Sequence, residues 1–172
     1  FTLSAVISRY RILSGGDNGL TDGDVQGEWK NRYLADVPNA KIVDWLYVNT
    51  TDPAAIGSAM WHFGGTQFTF TVPSSWMNNS DTGDVWDSGN YQNNNNGHAV
   101  HWNGIDALGN YRLQTWGTFV WITPKAVKVC NPDGFVVFST RWFDASGMAP
   151  NGKHITELAS IWASAGGKQI PA

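Results

Sequence analysis

Residues 97–117 carry the clearest strand and turn signals of the chain. This stretch reads GHAVHWNGIDALGNYRLQTWG. Its runs of β-branched and aromatic residues indicate strands, and residues 107–110 carry the Gly and Asn of a turn. Because a tight turn joins antiparallel strands, we expect a hairpin that returns the chain beside His98. Short strands are predicted over 98–105, 110–115 and 118–123.

The pattern around this stretch separates helices from strands. The first third of the chain has apolar residues mostly at helical spacing, whereas its centre alternates as strands do. Helices followed by antiparallel strands indicate an α+β fold. We expect a single domain, with a helical lobe about 1–65, a β lobe about 66–140 and a C-terminal helical tail about 141–172. The other predicted elements are helices over 2–13, 21–33, 53–63 and 154–165 and strands over 41–48, 67–72 and 134–139.

Two short motifs carry a family resemblance. Gly97-His98-Ala99-Val100 resembles the His-Ala-Val strand start of papain-like cysteine peptidases. Gln114-Thr115-Trp116-Gly117 is similar to their Asn-Ser-Trp-Gly strand. Bacterial and phage members of the group often carry such motifs, and the order of elements agrees over nearly all of residues 1–140. The resemblance implies a papain-like fold, in which a helical lobe carries a nucleophilic Cys and a β lobe supplies His and Asn.

The resemblance also implies roles for individual residues. His98 would be the catalytic base, and Gln114, at the family's Asn position, would orient it, with Thr115 as the other available neighbour. A thiolate needs an adjacent imidazole, and that imidazole needs a partner to hold its tautomer. Trp116 would shield the hydrogen bond between His98 and its partner from water, which strengthens the bond.

The family's nucleophile is not found in this sequence. The first helix, which resembles the segment that carries the Cys, reads FTLSAV over residues 1–6. Matching Leu3-Ser4-Ala5-Val6 to the family's Phe-Ser-Ala-Val places the Cys one residue before Phe1. Shifting the match by one residue puts Phe1 itself on the Cys position. In either register, the Gln that helps to form the oxyanion hole would lie before the chain.

The remaining candidate nucleophile and metal ligands have structural explanations. Cys130, the single cysteine, does not begin a helix, so no helix dipole lowers its pKa, and we predict a buried structural thiol. His98 and His101 are three residues apart on a strand, where side chains point to opposite faces. We therefore expect no metal site and no cofactor. His62 and His154 are predicted as surface or cap residues of helices.

Ten Trp residues are the oddity of the composition. Large amphipathic rings build cores, binding clefts and interfaces alike. The polar segment over 77–97 has no periodicity of its own, which is typical of an interaction loop. The aromatic residues predicted to line a binding surface are Trp61, Trp76, Trp86, Tyr91 and Trp116.

The charge of the chain excludes several classes of function. Its net charge is -3 and 15% of its residues are charged, which gives no electrostatic footprint for nucleic acid or an anionic membrane. No stretch approaches the roughly 18–20 apolar residues of a transmembrane helix, and no signal segment is recognised. We expect a protein partner or self-assembly, and a virion or extracellular location is compatible with these features.

Two functions are consistent with these residues. The missing Cys and the Gln at the Asn position favour a catalytically inactive papain-like module. It would act as a structural or binding protein, for instance in a phage or virion assembly. The alternative is an active cysteine peptidase or hydrolase whose Cys and oxyanion Gln lie just upstream of Phe1 and which works through a thioester. The residues that precede Phe1 in the complete gene product distinguish the two.

Overall fold

The computed structural model describes residues 3–16, 18–31, 42–93 and 96–170. The helices are α1 (Leu3–Ser14), α2 (Asp22–Asn31), α3 (Pro53–Phe63), α4 (Ser74–Met77), α5 (Pro124–Cys130) and α6 (Ile155–Ser164). The strands are β1 (Asp44–Tyr47), β2 (Thr66–Thr71), β3 (Val85–Trp86), β4 (Gly97–Ile105), β5 (Tyr111–Thr115), β6 (Thr118–Ile122) and β7 (Asp133–Phe138). Every predicted element is present within a few residues of its predicted bounds. Residues 2, 32–33 and 41 of those predictions lie outside the described residues.

Helix α3 shows how local chemistry sets an element's limits. The Asp52 carboxylate accepts a hydrogen bond from the Ala54 backbone N–H (2.9 Å), and Pro53 supplies the first helical residue. Such a cap satisfies a backbone donor that the first turn leaves without a helical partner. The helix ends at Gly64, whose φ of 76° is the left-handed conformation that glycine adopts without strain.

Helix α5 is not among the predicted elements, although it begins with a similar signal. Thr123 Oγ1 accepts from the Ala126 backbone N–H (3.1 Å), and Pro124 follows Thr123 as the first helical residue. The helix places Ala126 and Val127 in the core. Helix α4, which is one turn long, and the two-residue strand β3 were also absent from the predictions, because such short elements show no periodicity.

The strands form one sheet in the order β1-β7-β2-β4-β5-β6-β3. The pairs β2–β4, β2–β7, β4–β5 and β5–β6 are antiparallel, and β3 runs parallel to β6. Side chains alternate between the two faces of a strand, so burial alternates too. The face that packs into the core carries Phe68 and Phe70 of β2, Val100 and Trp102 of β4, Tyr111, Leu113 and Thr115 of β5, and Val120 and Ile122 of β6.

Aromatic stacking dominates the core of the sheet. Trp102 is fully buried and stacks on Phe68 with ring centroids 3.8 Å apart, and on its other neighbour Tyr111 at 5.0 Å. Truncating a buried aromatic residue of this kind to Ala typically costs about 3–5 kcal/mol of unfolding free energy. This packing fixes the register of β4, on which His98 lies.

The contacts divide the chain into two compact units, each described by itself. The first comprises residues 1–45, 137–149 and 154–172. Within its first segment, ion pairs link α1 to α2 (Arg9–Glu28, 2.6 Å) and α2 to β1 (Lys30–Asp44, 2.8 Å). The second comprises residues 46–136 and 150–153 and holds α3 and most of the sheet. The predicted boundary near residue 65 instead groups α3 with the helices that precede it. The prediction of a single domain stays a prediction.

None of the helices in the described segments is long and apolar enough to cross a membrane.

Candidate active site

His98 lies on strand β4, on the core-facing side of the sheet and within the second unit. It sits opposite Phe70 of β2 in the strand register and two residues before the buried Val100. Its Nε2 lies 2.6 Å from Thr115 Oγ1 at the end of β5. The hydrogen bond between these two side chains is partly buried. A hydrogen bond shielded from water holds an imidazole in one orientation.

Trp116 covers this imidazole from the tip of the β5–β6 hairpin. Thr115 and Thr118 form the last strand pair, so Trp116 and Gly117 make up a two-residue turn. Both have positive φ (45° and 80°), the pattern of a type I′ turn, in which Asn and Gly are usual and a bulky side chain is an outlier. The indole stacks on the His98 ring with centroids 4.6 Å apart and an interplanar angle of 20°. Trp116 remains 50% exposed.

Gln114 is not the partner of His98. It pairs in register with His101 and with Phe119, and its side chain is exposed on the face opposite to the core. The reason is the two-residue period of a strand, which turns Thr115 inward and Gln114 outward. Of the two neighbours expected for His98, the structure therefore brings only Thr115 to it.

Burial changes the acid–base behaviour of His98. It lowers the pKa of the imidazole below its usual value of 6.5, because a charged ring loses hydration there. The ring is therefore neutral at pH 7, with one ring nitrogen free to accept a proton. A neutral imidazole held by a neighbouring hydroxyl is a suitable general base.

Trp76 and Trp86 are buried and do not form an exposed binding surface, which corrects the sequence-based expectation. Trp76 is 3% exposed and Trp86 0% exposed, and they stack on each other at 5.2 Å. Their indole N–H groups donate to the Asp87 carbonyl (3.1 Å) and the Asn79 carbonyl (2.7 Å). Satisfied donors allow large rings to sit in a core. The polar segment around them is thus anchored, although its residues 94 and 95 lie outside the described part.

The other aromatic residues predicted to line a binding surface differ in their exposure and contacts. Tyr91 is partly buried and packs on Trp76 at 5.5 Å. Trp116 contacts Trp86 at 6.0 Å and so joins the His98 ring to this aromatic cluster. Trp61 is 64% exposed on α3, and among the described residues it makes no ring contact with the others.

Cys130 is a buried thiol at the end of α5, as predicted for a structural cysteine. Its Sγ donates to the Val127 carbonyl oxygen at 3.5 Å, and burial raises its pKa to about 12. It is therefore protonated near neutral pH and unsuited to nucleophilic attack. The predicted Cys register at Phe1 lies outside the described residues.

The sequence predicts no metal site, mainly because the two histidines of β4 should point to opposite faces of the sheet. Residues 98 and 101 face opposite sides of the sheet, and no group of three potential ligands occurs anywhere in the described ranges. The His101 ring lies against Gly65, and burial lowers the pKa of His101 too. His154 caps α6, as predicted, and accepts from the Thr156 backbone N–H.

A groove of about 580 Å³ lies along the β5–β6 hairpin, and Arg112 and Gln114 line it from the face of β5 opposite to His98. His98 is not among its lining residues, but Thr115 and Trp116, which contact the imidazole, border the groove at the tip of the hairpin. Arg112, on the outer face of β5, was not singled out in the sequence, because a charged residue at an outward strand position is ordinary. The groove is lined by Thr82, Arg112, Gln114, Thr115, Trp116, Gly117, Thr118 and Phe119.

No protein-family model matches the chain, and no curated protein matches it. Among solved structures, the chain is similar to xylellain, a cysteine protease from Xylella fastidiosa. The TM-score is 0.62 at 16% sequence identity, and the similarity covers 78% of this chain and 68% of xylellain. At that identity the likeness concerns the fold alone. The chain has a papain-like fold of the α+β class.

Proposed function

We propose that His98 is the general base of a papain-like thiol hydrolase. The observation that carries the proposal is the 2.6 Å contact between His98 Nε2 and Thr115 Oγ1 beneath the Trp116 ring. It supplies the three requirements of such a base: a neutral imidazole, a partner that fixes it, and a cover against water. The strained turn conformation of Trp116 supports the proposal, because strain of this kind is often found at functional sites.

The proposed chemistry follows from the orientation of the ring. With Nε2–H donating to Thr115, the lone pair of Nδ1 is free to take the proton of a thiol. The thiolate attacks the carbonyl carbon of an amide, the C–N bond breaks, and the imidazolium returns its proton to the leaving amine. Water, activated by the same nitrogen, then hydrolyses the thioester and regenerates the thiol. Thr115 is a positioning residue in this scheme.

The thiol in this scheme is not Cys130. Its burial and its pKa of about 12 exclude it, and the 172 residues hold no other cysteine. The proposal therefore requires a nucleophile from residues outside this sequence, as the alternative of a Cys just upstream of Phe1 supposes.

The test uses the full-length gene product and a biotinylated epoxysuccinyl peptide, which alkylates activated thiols. We expect labelling at a cysteine other than Cys130, located by peptide mass spectrometry. His98→Ala should slow labelling by about 100-fold or more, because the base no longer forms the thiolate. His101→Gln is the matched control: it lies on the same strand, on the opposite face, and should label at the wild-type rate. Labelling of Cys130 alone, no labelling, or an unchanged rate in His98→Ala would contradict the proposal.

An inactive papain-like module is the second candidate, and the buried state of Cys130 favours it. In that case the exposed rings of Trp61 and Trp116 would serve contacts with a protein partner or a second copy, for instance in a virion assembly. Absence of labelling in the full-length protein would support this candidate, and His98-dependent labelling would overturn it.

A further inference from the structure

The groove along the β5–β6 hairpin is lined from the outer face of the sheet, away from the His98 imidazole. Arg112 and Gln114 line it from β5, and Phe119, which pairs with Gln114, lines it from β6. Strand alternation places Arg112 and Gln114 on the face opposite to Thr115. A molecule in this groove therefore meets Arg112, Gln114 and Phe119, none of which takes part in the proposed hydrolase.

Packing holds the Arg112 side chain in place before any ligand arrives. Its guanidinium lies over the Phe119 ring, 4.5 Å from the centroid, and Phe119 packs edge-on against Trp121. Gly104 pairs with Arg112 across β4 and β5, and a Cβ built on Gly104 would stand 3.4 Å from the Arg112 Cβ. An arginine that is already ordered loses less conformational entropy when it binds.

The positive charge of Arg112 is not compensated by the protein. Within the described segments Arg112 forms no ion pair, and it carries the only formal charge among the residues that line the groove. The chain has 14 acidic residues against 11 Lys and Arg, yet no carboxylate lines the groove. Because Nε is buried, the two Nη groups are the part of the guanidinium that a ligand can reach. The groove therefore favours an anion.

The other polar side chains of the groove are neutral. Gln114 offers an amide on the same strand face as Arg112, and the hydroxyls of Thr82 and Thr118 meet at 2.6 Å. One positive charge among neutral hydrogen-bonding groups suits a ligand with one anionic group. The volume of about 580 Å³ falls among sites that hold small organic molecules, roughly 300–1,000 Å³, and exceeds what a single ion fills.

We infer that this groove binds a small polar molecule that carries one oxoanion group, a carboxylate or a phosphate, with Arg112 as its anchor. The two Nη groups donate parallel hydrogen bonds to two oxygens of that group. Gln114 and the threonine hydroxyls bind neutral polar groups on the rest of the molecule. Since His98 lies on the other face of the sheet, this site and the proposed hydrolase can fail independently.

The binding test uses two-dimensional NMR of the full-length gene product labelled with nitrogen-15. It follows the Arg112 Nε–H and the Gln114 side-chain amide, which are assigned from Arg112→Gln and Gln114→Glu. The probes are glucuronate and glucose 6-phosphate, with glucose as the neutral match that lacks the oxoanion. We expect at least one anion to shift both signals and to bind about tenfold more tightly than glucose, because hydrogen bonds to charged groups contribute more than neutral ones.

The variants separate the charge of Arg112 from its packing. Arg112→Gln should reduce the affinity for the anion to that for glucose. Gln114→Glu keeps the guanidinium but places a carboxylate about 6–7 Å from it along the strand, and should also weaken anion binding. This second variant tests the charge even where Arg112→Gln does not fold. Arg141→Gln removes an exposed arginine from the 3₁₀ turn at 140–142, outside the groove, and should bind as the wild type does.

Two further readouts sharpen the result. Added salt should weaken anion binding and leave glucose unaffected, since screening acts on charges. His98→Ala should bind the anion as the wild type does, whatever the outcome of thiol labelling. The anion that binds more tightly identifies the oxoanion as a carboxylate or a phosphate.

Several outcomes would overturn the inference. They are equal affinity for glucose and both anions, no shift of the Arg112 signal with either anion at tens of millimolar, and wild-type affinity in a folded Arg112→Gln or Gln114→Glu. Loss of anion binding in a folded His98→Ala would overturn the assignment to the outer face. Anion binding without thiol labelling rejects the hydrolase alone, and His98-dependent labelling without anion binding rejects this site alone.

Discussion

Replacing Thr115 by Val tests whether the hydroxyl of Thr115 holds the His98 ring. The two side chains have nearly the same shape, so the substitution removes the 2.6 Å hydrogen bond and leaves the packing of a buried position in place. Any loss of stability or change in the imidazole then reports on that bond. Thr118→Val is the matched control, because Thr118 pairs with Thr115 across the hairpin and its hydroxyl bonds Thr82 in an exposed setting.

The expected loss of stability in each variant follows from the burial of the hydrogen bond that it removes. A protein hydrogen bond contributes about 1 kcal/mol net, and leaving a half-buried ring nitrogen without a partner adds to that loss. We expect Thr115→Val to lower the free energy of unfolding by about 1–2 kcal/mol, and Thr118→Val to change it by less than about 0.5 kcal/mol. For a protein of this size, 1 kcal/mol corresponds to roughly 2–4 °C in Tm.

Two measurements decide the outcome. Urea denaturation gives the free energies of unfolding, and the nitrogen-15 shifts of the His98 ring give its tautomer and pKa. The imidazolium loses an acceptor in Thr115→Val, so the pKa of His98 should fall further below its usual value. Equal stability of wild type and Thr115→Val, together with an unchanged tautomer and pKa, would refute the idea that Thr115 positions the ring.

Two further predictions concern the stability of the same unit. Gly65→Ala should lower the free energy of unfolding by about 2 kcal/mol or more, because φ at Gly65 is 142° and a Cβ would overlap the His101 ring. Gly64→Ala, where φ is 76° and the surrounding space is open, should lower it by about 1 kcal/mol. Urea denaturation measures both values. Burial lowers the pKa of His98 and of His101, so the unfolded chain takes up their protons first as the pH falls. Stability should therefore decline below about pH 6.5 and level off past the folded pKa values, and an unchanged profile in His98→Gln would contradict this origin.

Much of the secondary structure could be predicted because its signals are local. The Asp52-Pro53 cap and Gly64 define both ends of α3, and alternation defines β2 and β5. Thr123-Pro124 begins α5 in the same way as Asp52-Pro53 begins α3, so this helix could also have been found. The parallel pairing of β3 with β6 could not, because two residues carry no pattern and their partner is distant in sequence.

The site was predictable in part for similar reasons. His98 was identified from its motif, but matching the motif residue by residue favoured Gln114 as its partner. In β5, Tyr111 and Leu113 are buried, so the alternation of the strand assigns the next inward position to Thr115. The pattern therefore identifies Thr115 as the neighbour of His98. The burial of Trp76 depends on a backbone carbonyl eleven residues away, which composition does not reveal. Arg112 became notable only through its contacts with Phe119 and the groove.

The conformation of Trp116 has a consequence for how this hairpin changes over evolution. Substitutions that ease the turn, such as Asn at this position, gain backbone stability because Asn tolerates a positive φ. The same substitutions uncover the imidazole and open one wall of the groove. Selection for folding and selection for the site therefore act on this residue in opposite directions. Retention of a bulky aromatic at the turn would distinguish lineages in which the site is still in use from lineages in which only the fold is kept.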